Sequence, residues 1–255
     1  MDSQTSPEGQ QVITGRQSVL ELLKSGRPVH RLYVAAGRRQ GSLVPIIALA
    51  REAGVAVQEV PEARLTSLTQ AANHQGVVAI AAAHGYVDVE DLLKAAAQAG
   101  EAPLLLALDG VEDPGNLGAI IRSAGAAGAH GVIIPKRRAA GLTAAAAKAA
   151  AGALEHVRVA QVTNLTRTLT ALKERGLWAV GADAGAKDSL YTSDLTGPLV
   201  LVVGGEDRGL SRLVAETCDR TVRIPMRGPV GSLNASVAAG LCLFEVRRQR
   251  DGRQS

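Results

Sequence analysis

The sequence predicts an α/β chain whose main sheet is parallel and covered by helices on both faces. Two observations carry this prediction. Short apolar runs alternate with helix-length amphipathic segments, most regularly in the second half. The apolar residues are chiefly Ala, Val, Leu and Ile: hydrophobic residues make up 46% of the 255 but aromatics only 2%, a mix suited to helices packed on a buried sheet. The length allows two modest domains, each with its own core.

The elements follow in order. Gly15 to Ser25 carries Val19, Leu20, Leu22 and Leu23 and stops at Gly26, which predicts a short amphipathic helix. Strand His30 to Ala35, helix Val44 to Ala53, strand Val55 to Val60, helix Ala63 to Ala71 and strand Gly76 to Ala83 then complete a small α/β domain over residues 11–84. Residues 85–102 are more polar and read as a linker, with one helix capped by Asp88 and made apolar by Leu92 and Leu93. Residues 103–250 alternate again: strand Pro103 to Asp109, helix Leu117 to Ala127, strand Gly131 to Pro135, helix Leu142 to Ala151 and strand Val157 to Val162. Helix Leu165 to Arg175, strands Leu177 to Ala182 and Pro198 to Val203, a short helix from Gly209, strand Arg220 to Ile224 and helix Leu233 to Arg247 follow.

Composition narrows the function classes. The net charge of +4 and the pI near 9.3 suit a polyanion partner and an ordinary solvated surface equally. Cys218 and Cys242 form no CxxC pair, and no His cluster accompanies them, so reduced thiols and no metal are expected. The polar start MDSQTSPEGQQ lacks the pattern of a signal peptide, and no apolar run approaches the roughly 18 residues of a membrane helix. A cytoplasmic protein is the expectation.

In parallel sheets, ligands gather at the loops leaving the carboxyl ends of strands, which directs attention to three loops. The first, Asp109-Gly110-Val111-Glu112-Asp113-Pro114-Gly115-Asn116, reads as a turn entering a helix with Asn116 as N-cap. Its helix carries Arg122 among Ala, Ile and Gly on faces expected to be packed, where an arginine calls for a carboxylate or phosphate. The second, Gly204-Gly205-Glu206-Asp207-Arg208-Gly209, lets the backbone bend sharply and a ligand approach closely, but matches neither a dinucleotide fingerprint nor a phosphate loop. The third, Ile224 to Leu233, is rich in Gly and Pro and enters a helix with Ser232 as the expected N-cap. Asn234 and Ser236 lower helix propensity just inside that helix, so a ligand or a facing subunit is the expected reason for them.

Together, in this order and at this spacing, the three segments resemble the signature motifs of the SpoU/TrmH group of the SPOUT methyltransferases. His74-Gln75-Gly76-Val77-Val78-Ala79 and Gly152-Ala153-Leu154-Glu155-His156 extend the resemblance over nearly the whole chain after residue 11. It implies an L30e-like RNA-binding N-terminal domain and a catalytic α/β domain threaded into a deep trefoil knot, a rare topology that element reading cannot foresee. It also implies S-adenosylmethionine as methyl donor, a homodimer, no metal, and an RNA ribose 2′-hydroxyl as acceptor. The pattern is similar to the branch that methylates a guanosine in 23S ribosomal RNA.

By the same resemblance, Gly204, Ile224 and Leu233 hold the cofactor. Arg122 matches the catalytic arginine, and Asn116, Glu206, Ser232 and Asn234 match supporting active-site positions. A guanidinium stays charged at ordinary pH, so Arg122 is expected to bind phosphate and stabilise the developing alkoxide rather than take the proton. The basic residues Arg16, Lys24, Arg27, Arg31, Arg38 and Arg39, and then Lys136, Arg137 and Arg138, are candidates for RNA phosphates. The arginines from Arg247 to Arg253 are expected in a frayed, solvated tail. The alanine-rich stretch after Pro135 departs from the family pattern and leaves the target nucleotide open. A transfer-RNA or rRNA-adenosine target, and a non-catalytic RNA-binding or ribosome-assembly protein of the same fold, are the competing readings.

Overall fold

The computed structural model describes residues 10–37, 43–69, 74–82, 84–206, 208–229 and 231–252. The chain forms two compact units: Met1–Gly85 with Leu142–His156, and Tyr86–Gly141 with Val157–Ser255.

In the first unit, strands β1 (Gln10–Thr14), β2 (Val29–Ala35), β3 (Val57–Val60) and β4 (Val77–Ala82) form a sheet of order β1-β4-β2-β3. β4 is antiparallel to β1 and β2, while β2 and β3 run parallel. Helices α1 (Arg16–Lys24) and α2 (Val44–Glu52) bring Val19, Leu22, Ile46 and Ile47 into one core with Leu32 and Val77. Helix α3 (Glu62–Thr69) contributes Leu65 to a smaller cluster with Ala35, Val60 and Val78. Helix α6 (Ala144–Ala150) and a single 3-10 turn at Ala153–Glu155 also lie in this unit.

That turn anchors a polar cluster. The Glu155 carboxylate, only 4% exposed, accepts a hydrogen bond from Ser25 Oγ at 2.8 Å and lies 3.2 Å from both Arg27 Nη1 and His84 Nε2. The Arg27 contact satisfies an ion pair by distance but not the angle a hydrogen bond needs. Arg27 is therefore committed to the interior and corrected from the RNA-facing candidates; Arg38 and Arg39 lie outside the described residues. Burial pushes the Glu155 carboxyl upward, but hydrogen bonds from His84 and Ser25 and the charge of Arg27 outweigh it, and the net shift is downward.

Glu155→Ala leaves the guanidinium buried without its counter-charge, and a destabilisation of about 3–5 kcal/mol is expected, read by chemical denaturation. Because the folded value is depressed, the contribution is complete above the ordinary carboxylate range and is lost as pH falls through the folded value. The wild-type advantage over the variant should therefore shrink in acid.

The second unit holds strands β5 (Leu104–Asp109), β6 (Gly131–Pro135), β7 (Val159–Val162), β8 (Trp178–Ala182), β9 (Asp188–Ser189), β10 (Leu199–Gly204) and β11 (Arg220–Arg223). They form one sheet of order β7-β6-β5-β10-β8-β11-β9, and every pair is parallel. Central strands β5 and β10 are almost wholly buried, as a sheet covered on both faces requires. Helices α4 (Val89–Ala99) and α7 (Leu165–Glu174) pack Leu92, Leu169 and Leu172 on one core with Leu105, Ile133 and Val200. α5 (Pro114–Ala126) packs against α9 (Ala235–Asp251), and α8 (Arg212–Thr217) packs against α7.

β1 and β9 are absent from the sequence-based elements. One expectation about the second unit also needs correction. Arg247, Arg248 and Arg250 are not a frayed tail, and Arg253 lies outside the described residues: α9 runs to Asp251, and Arg250 is buried, donating to the carbonyls of Ala102, Pro103 and Gly197 at 2.7, 3.0 and 2.8 Å. Arg247 likewise donates to the Ala127 and Gly128 carbonyls. These guanidiniums satisfy carbonyl oxygens that would otherwise be orphaned at loop and helix ends. Both cysteines are free, and burial pushes the Cys218 thiol up to about 11 and the Cys242 thiol up to about 12.

Candidate active site

The loops leaving β5, β10 and β11 meet at one end of the second unit. α5 begins earlier than the sequence suggests. Asp113 is the N-cap, its Oδ1 accepting from the Asn116 backbone N–H at 2.7 Å, and Pro114 takes the first helical position, where a missing N–H costs nothing. Asn116 is therefore not the cap, and its side chain is free for other contacts.

At α9 the correction is similar. Asn234, not Ser232, caps the helix: its Oδ1 accepts from Ser236 N at 3.0 Å and Val237 N at 3.4 Å, and also from Ser236 Oγ. Capping thus accounts for one end of the Asn234 side chain and for Ser236. The other end does something further. Asn234 Nδ2 donates to Asn116 Oδ1 at 2.9 Å and to Glu206 Oε1, while Asn116 Nδ2 donates to the same Glu206 oxygen at 2.8 Å. Three residues separated by up to 118 positions are locked together by their polar ends.

Gly204 and Gly205 make the bend after β10 possible. A Cβ on Gly204 would lie 2.1 Å from the Gly209 backbone carbon, and one on Gly205 would lie 2.2 Å from the Gly110 carbonyl oxygen. Neither position admits a side chain. The turn is closed by Gly209 N–H to the Gly205 carbonyl at 2.9 Å, and Asp109 Oδ2 accepts from Ser211 N at 2.7 Å.

Two cavities flank this turn. The smaller, about 120 Å³, is lined by Gly204, Ile224, Ser232 and Leu233, with Asp183 and Met226 completing its wall. The larger is an open cleft of about 910 Å³ lined by Asn116, Arg137, Arg138, Arg208 and Arg212. Gly205, Glu206, Gly209 and Ala235 border both, so the Asn116–Glu206–Asn234 cluster stands on the seam. The smaller cavity combines apolar walls with exposed backbone at a side-chain-free bend and the Asp183 carboxylate, a donor set that fits a purine nucleoside. Asp183 was missed in the sequence because Ala182-Asp183-Ala184-Gly185 reads as a plain turn.

Arg122 lines neither of these cavities. The buried positions of α5 are Leu117, Gly118, Ile120, Ile121 and Ala124, and Arg122 is solvent-exposed at the margin of that stripe, one turn beyond Gly118. Among the described residues it has no hydrogen-bonding or ionic partner, so the expected packed setting is corrected: the side chain lies off the Leu117, Ile120, Ile121 and Ala124 positions that face the core, and solvent reaches it.

Residues 103–244 match the model described as the SpoU rRNA Methylase family, and residues 12–87 match the RNA 2′-O ribose methyltransferase substrate binding model. The chain belongs to the SpoU family. It is 49% identical over 239 residues to the TrmH-family protein YacO of Bacillus subtilis, named as a tRNA/rRNA methyltransferase, covering 94% of this chain and 96% of that one. The SpoU methyltransferase AviRb of Streptomyces viridochromogenes, solved with AdoMet, superposes with a TM-score of 0.80 at 27% identity, covering 96% of this chain and 92% of AviRb. An AdoMet-bound rRNA methyltransferase of Sinorhizobium meliloti gives a TM-score of 0.77 at 30% identity, covering 94% and 87%. This SpoU protein is an S-adenosylmethionine-dependent RNA 2′-O-ribose methyltransferase acting on RNA of the tRNA/rRNA class. Its class is the SPOUT α/β fold with an N-terminal substrate-binding domain, as the motifs led one to expect. Among the described residues no helix is long and apolar enough to cross a membrane, and no group of side chains is arranged to hold a metal ion.

Proposed function

We propose that this SpoU enzyme methylates the ribose 2′-hydroxyl of one guanosine in 23S ribosomal RNA, as a cytoplasmic homodimer. The observation that carries the reading is the shared seam: a small, mostly apolar recess and an open cleft meet at Gly205, Glu206, Gly209 and Ala235, beneath a carboxylate fixed by two amides.

In this reading Gly204, Ile224 and Leu233 hold S-adenosylmethionine, with Ser232 at the rim. When bound, the cofactor supplies an electrophilic methyl group on a good leaving group, so the protein's task is to align and activate the sugar hydroxyl. The recess of about 120 Å³ is below the roughly 300–1,000 Å³ of small-molecule sites. The Ile224–Asn234 segment, whose described residues carry no helix or strand, yields on binding. Threading of the C-terminal part into a trefoil knot around this recess belongs to the same proposal.

Asn116, Glu206 and Asn234 act as a positioning unit that holds the α5 and α9 termini against the Gly205 turn. Arg122, exposed and outside both cavities of its own subunit, reaches the seam of a partner subunit. The support is on α9, where Val237, Leu241 and Phe244 expose 48, 39 and 51% of their surfaces at i, i+4 and i+7, an apolar stripe on the helix packed against α5. Such a stripe fits a self-complementary interface. There Arg122 binds a phosphate and stabilises the alkoxide that forms as the hydroxyl proton leaves. Residues 11–84 recruit RNA, residues 103–250 apart from 142–156 transfer the methyl group, and residues 85–102, whose helix α4 packs in the core of the second unit, join them.

Mapping 2′-O-methyl positions in total RNA from cells with and without the gene tests the reading. Loss of one guanosine methylation in 23S ribosomal RNA is expected. Loss at an adenosine or in transfer RNA would move the substrate to that class, and an unchanged map would contradict the proposal.

A further inference from the structure

The cleft has a rim of four arginines that the methyl-transfer chemistry does not use. Arg137 and Arg138 lie in the loop after β6, and Arg208 and Arg212 lie in the segment after β10. In the sheet order β6-β5-β10 these two loops stand on either side of the β5 loop that leads to Asn116. All four side chains are exposed.

Their charge is not absorbed by the carboxylates that line the same cleft. Asp109 is committed to Ser211 N, Asp113 caps α5, and Glu206 accepts from Asn116 and Asn234; Glu112, the fourth carboxylate on the cleft, is exposed and forms no ion pair with any of the four arginines among the described residues. Among the described residues, Arg137, Arg138 and Arg208 have no ion-pair partner. Arg212 has only a solvent-exposed contact with Glu216 at 3.5 Å, which an anion can displace.

Arg138 adds an independent sign. Its φ is +55°, a left-handed conformation that costs an L-residue energy and that glycine or asparagine would adopt more easily. A strained backbone next to a cleft, carrying an unpaired guanidinium, is the pattern of a residue kept for what it binds. A guanidinium fork matches phosphate oxygens in a bidentate way.

We propose that Arg137, Arg138, Arg208 and Arg212 form a phosphate-gripping rim that holds the RNA backbone beside the reacting ribose, as positioning residues for the acceptor strand. This rests on the reading that the cleft receives RNA and the smaller recess receives the cofactor.

The test uses the full-length protein with deproteinised ribosomal RNA from cells lacking the gene, in binding titrations at several salt concentrations. Arg138→Gly removes the guanidinium and relieves the backbone at once. It should lower RNA affinity about tenfold and flatten the dependence of log K on log salt by about 0.7 to 0.9. S-adenosylmethionine affinity should stay within about twofold and the Tm should be unchanged or raised. The double variant Arg137→Gln with Arg208→Gln, which leaves φ at 138 alone, should flatten the salt dependence further and raise KM for RNA.

Unchanged RNA affinity and salt slope in both variants would overturn the proposal. So would a fall in S-adenosylmethionine affinity, which would place the arginines on the cofactor, or a loss of affinity that tracks a lowered Tm. If the wild-type protein binds S-adenosylmethionine but transfers no methyl group to any RNA, the underlying reading fails; if it methylates and the arginine variants match it, only the rim fails.

Discussion

Arg122→Ala should lower turnover by about a hundred- to a thousandfold, the loss typical of removing one group that stabilises developing negative charge. S-adenosylmethionine binding should stay within about twofold. Because Arg122 is exposed on α5 and lines neither cavity, its truncation opens no void, and the Tm should not fall. Arg122→Lys keeps the charge but not the planar fork, so it should recover only part of the rate. Radiolabelled methyl transfer, cofactor titration calorimetry and a melting curve on the same preparations separate these effects. Wild-type turnover in Arg122→Ala would remove the arginine from the chemistry, whereas lost cofactor binding would give it a different role.

The second large effect belongs to Gly204. An alanine there would set its Cβ 2.1 Å from the Gly209 carbonyl carbon, 2.2 Å from its oxygen and 2.5 Å from Leu210 N. These are backbone atoms of a turn closed on itself by the Gly209-to-Gly205 hydrogen bond, so no side-chain rotation relieves the clash. Gly204→Ala should therefore either destabilise the second unit by more than about 4 kcal/mol or push the 205–210 segment into the recess, abolishing cofactor binding in a folded protein. Gly197→Ala is the control, because a Cβ there meets nothing within 4 Å and the backbone is not left-handed; it should leave both readouts unchanged. Normal cofactor affinity and stability in Gly204→Ala would show that the bend is not the wall of the site.

The alternation of strands and helices was legible because each apolar run matches one period. What escaped was mostly competition between neighbouring candidates for one role. Asp113-Pro114 and Asn116 both suit a helix start, and proline's preference for the first helical position decides for Asp113. Ser232 and Asn234 compete in the same way two residues apart. The first correction frees the Asn116 amide and the second fixes the Asn234 amide by its oxygen, and the two amide nitrogens then meet on Glu206, so the cluster at the seam could not be read until the caps were assigned.

Arg122 illustrates a legible feature misread. Leu117, Ile120, Ile121 and Ala124 already define the buried stripe, and a helical projection places residue 122 off it. The Glu155–Arg27–His84 cluster was illegible for another reason: its members are far apart in the chain, and alternation cannot say that the segment after β6 joins the other unit. The arginines of α9 looked like a solvated run because their partners are backbone carbonyls, which leave no trace in a sequence.

A crystal structure of the protein with S-adenosylmethionine tests the account most directly. The adenosyl group should lie between Gly204, Ile224 and Leu233, the transferable methyl should face the cleft beside Glu206, and the partner subunit's Arg122 should stand across the seam. Cofactor bound instead among Arg137 and Arg138, or an Arg122 remote from the methyl in every pairing of subunits, would contradict it.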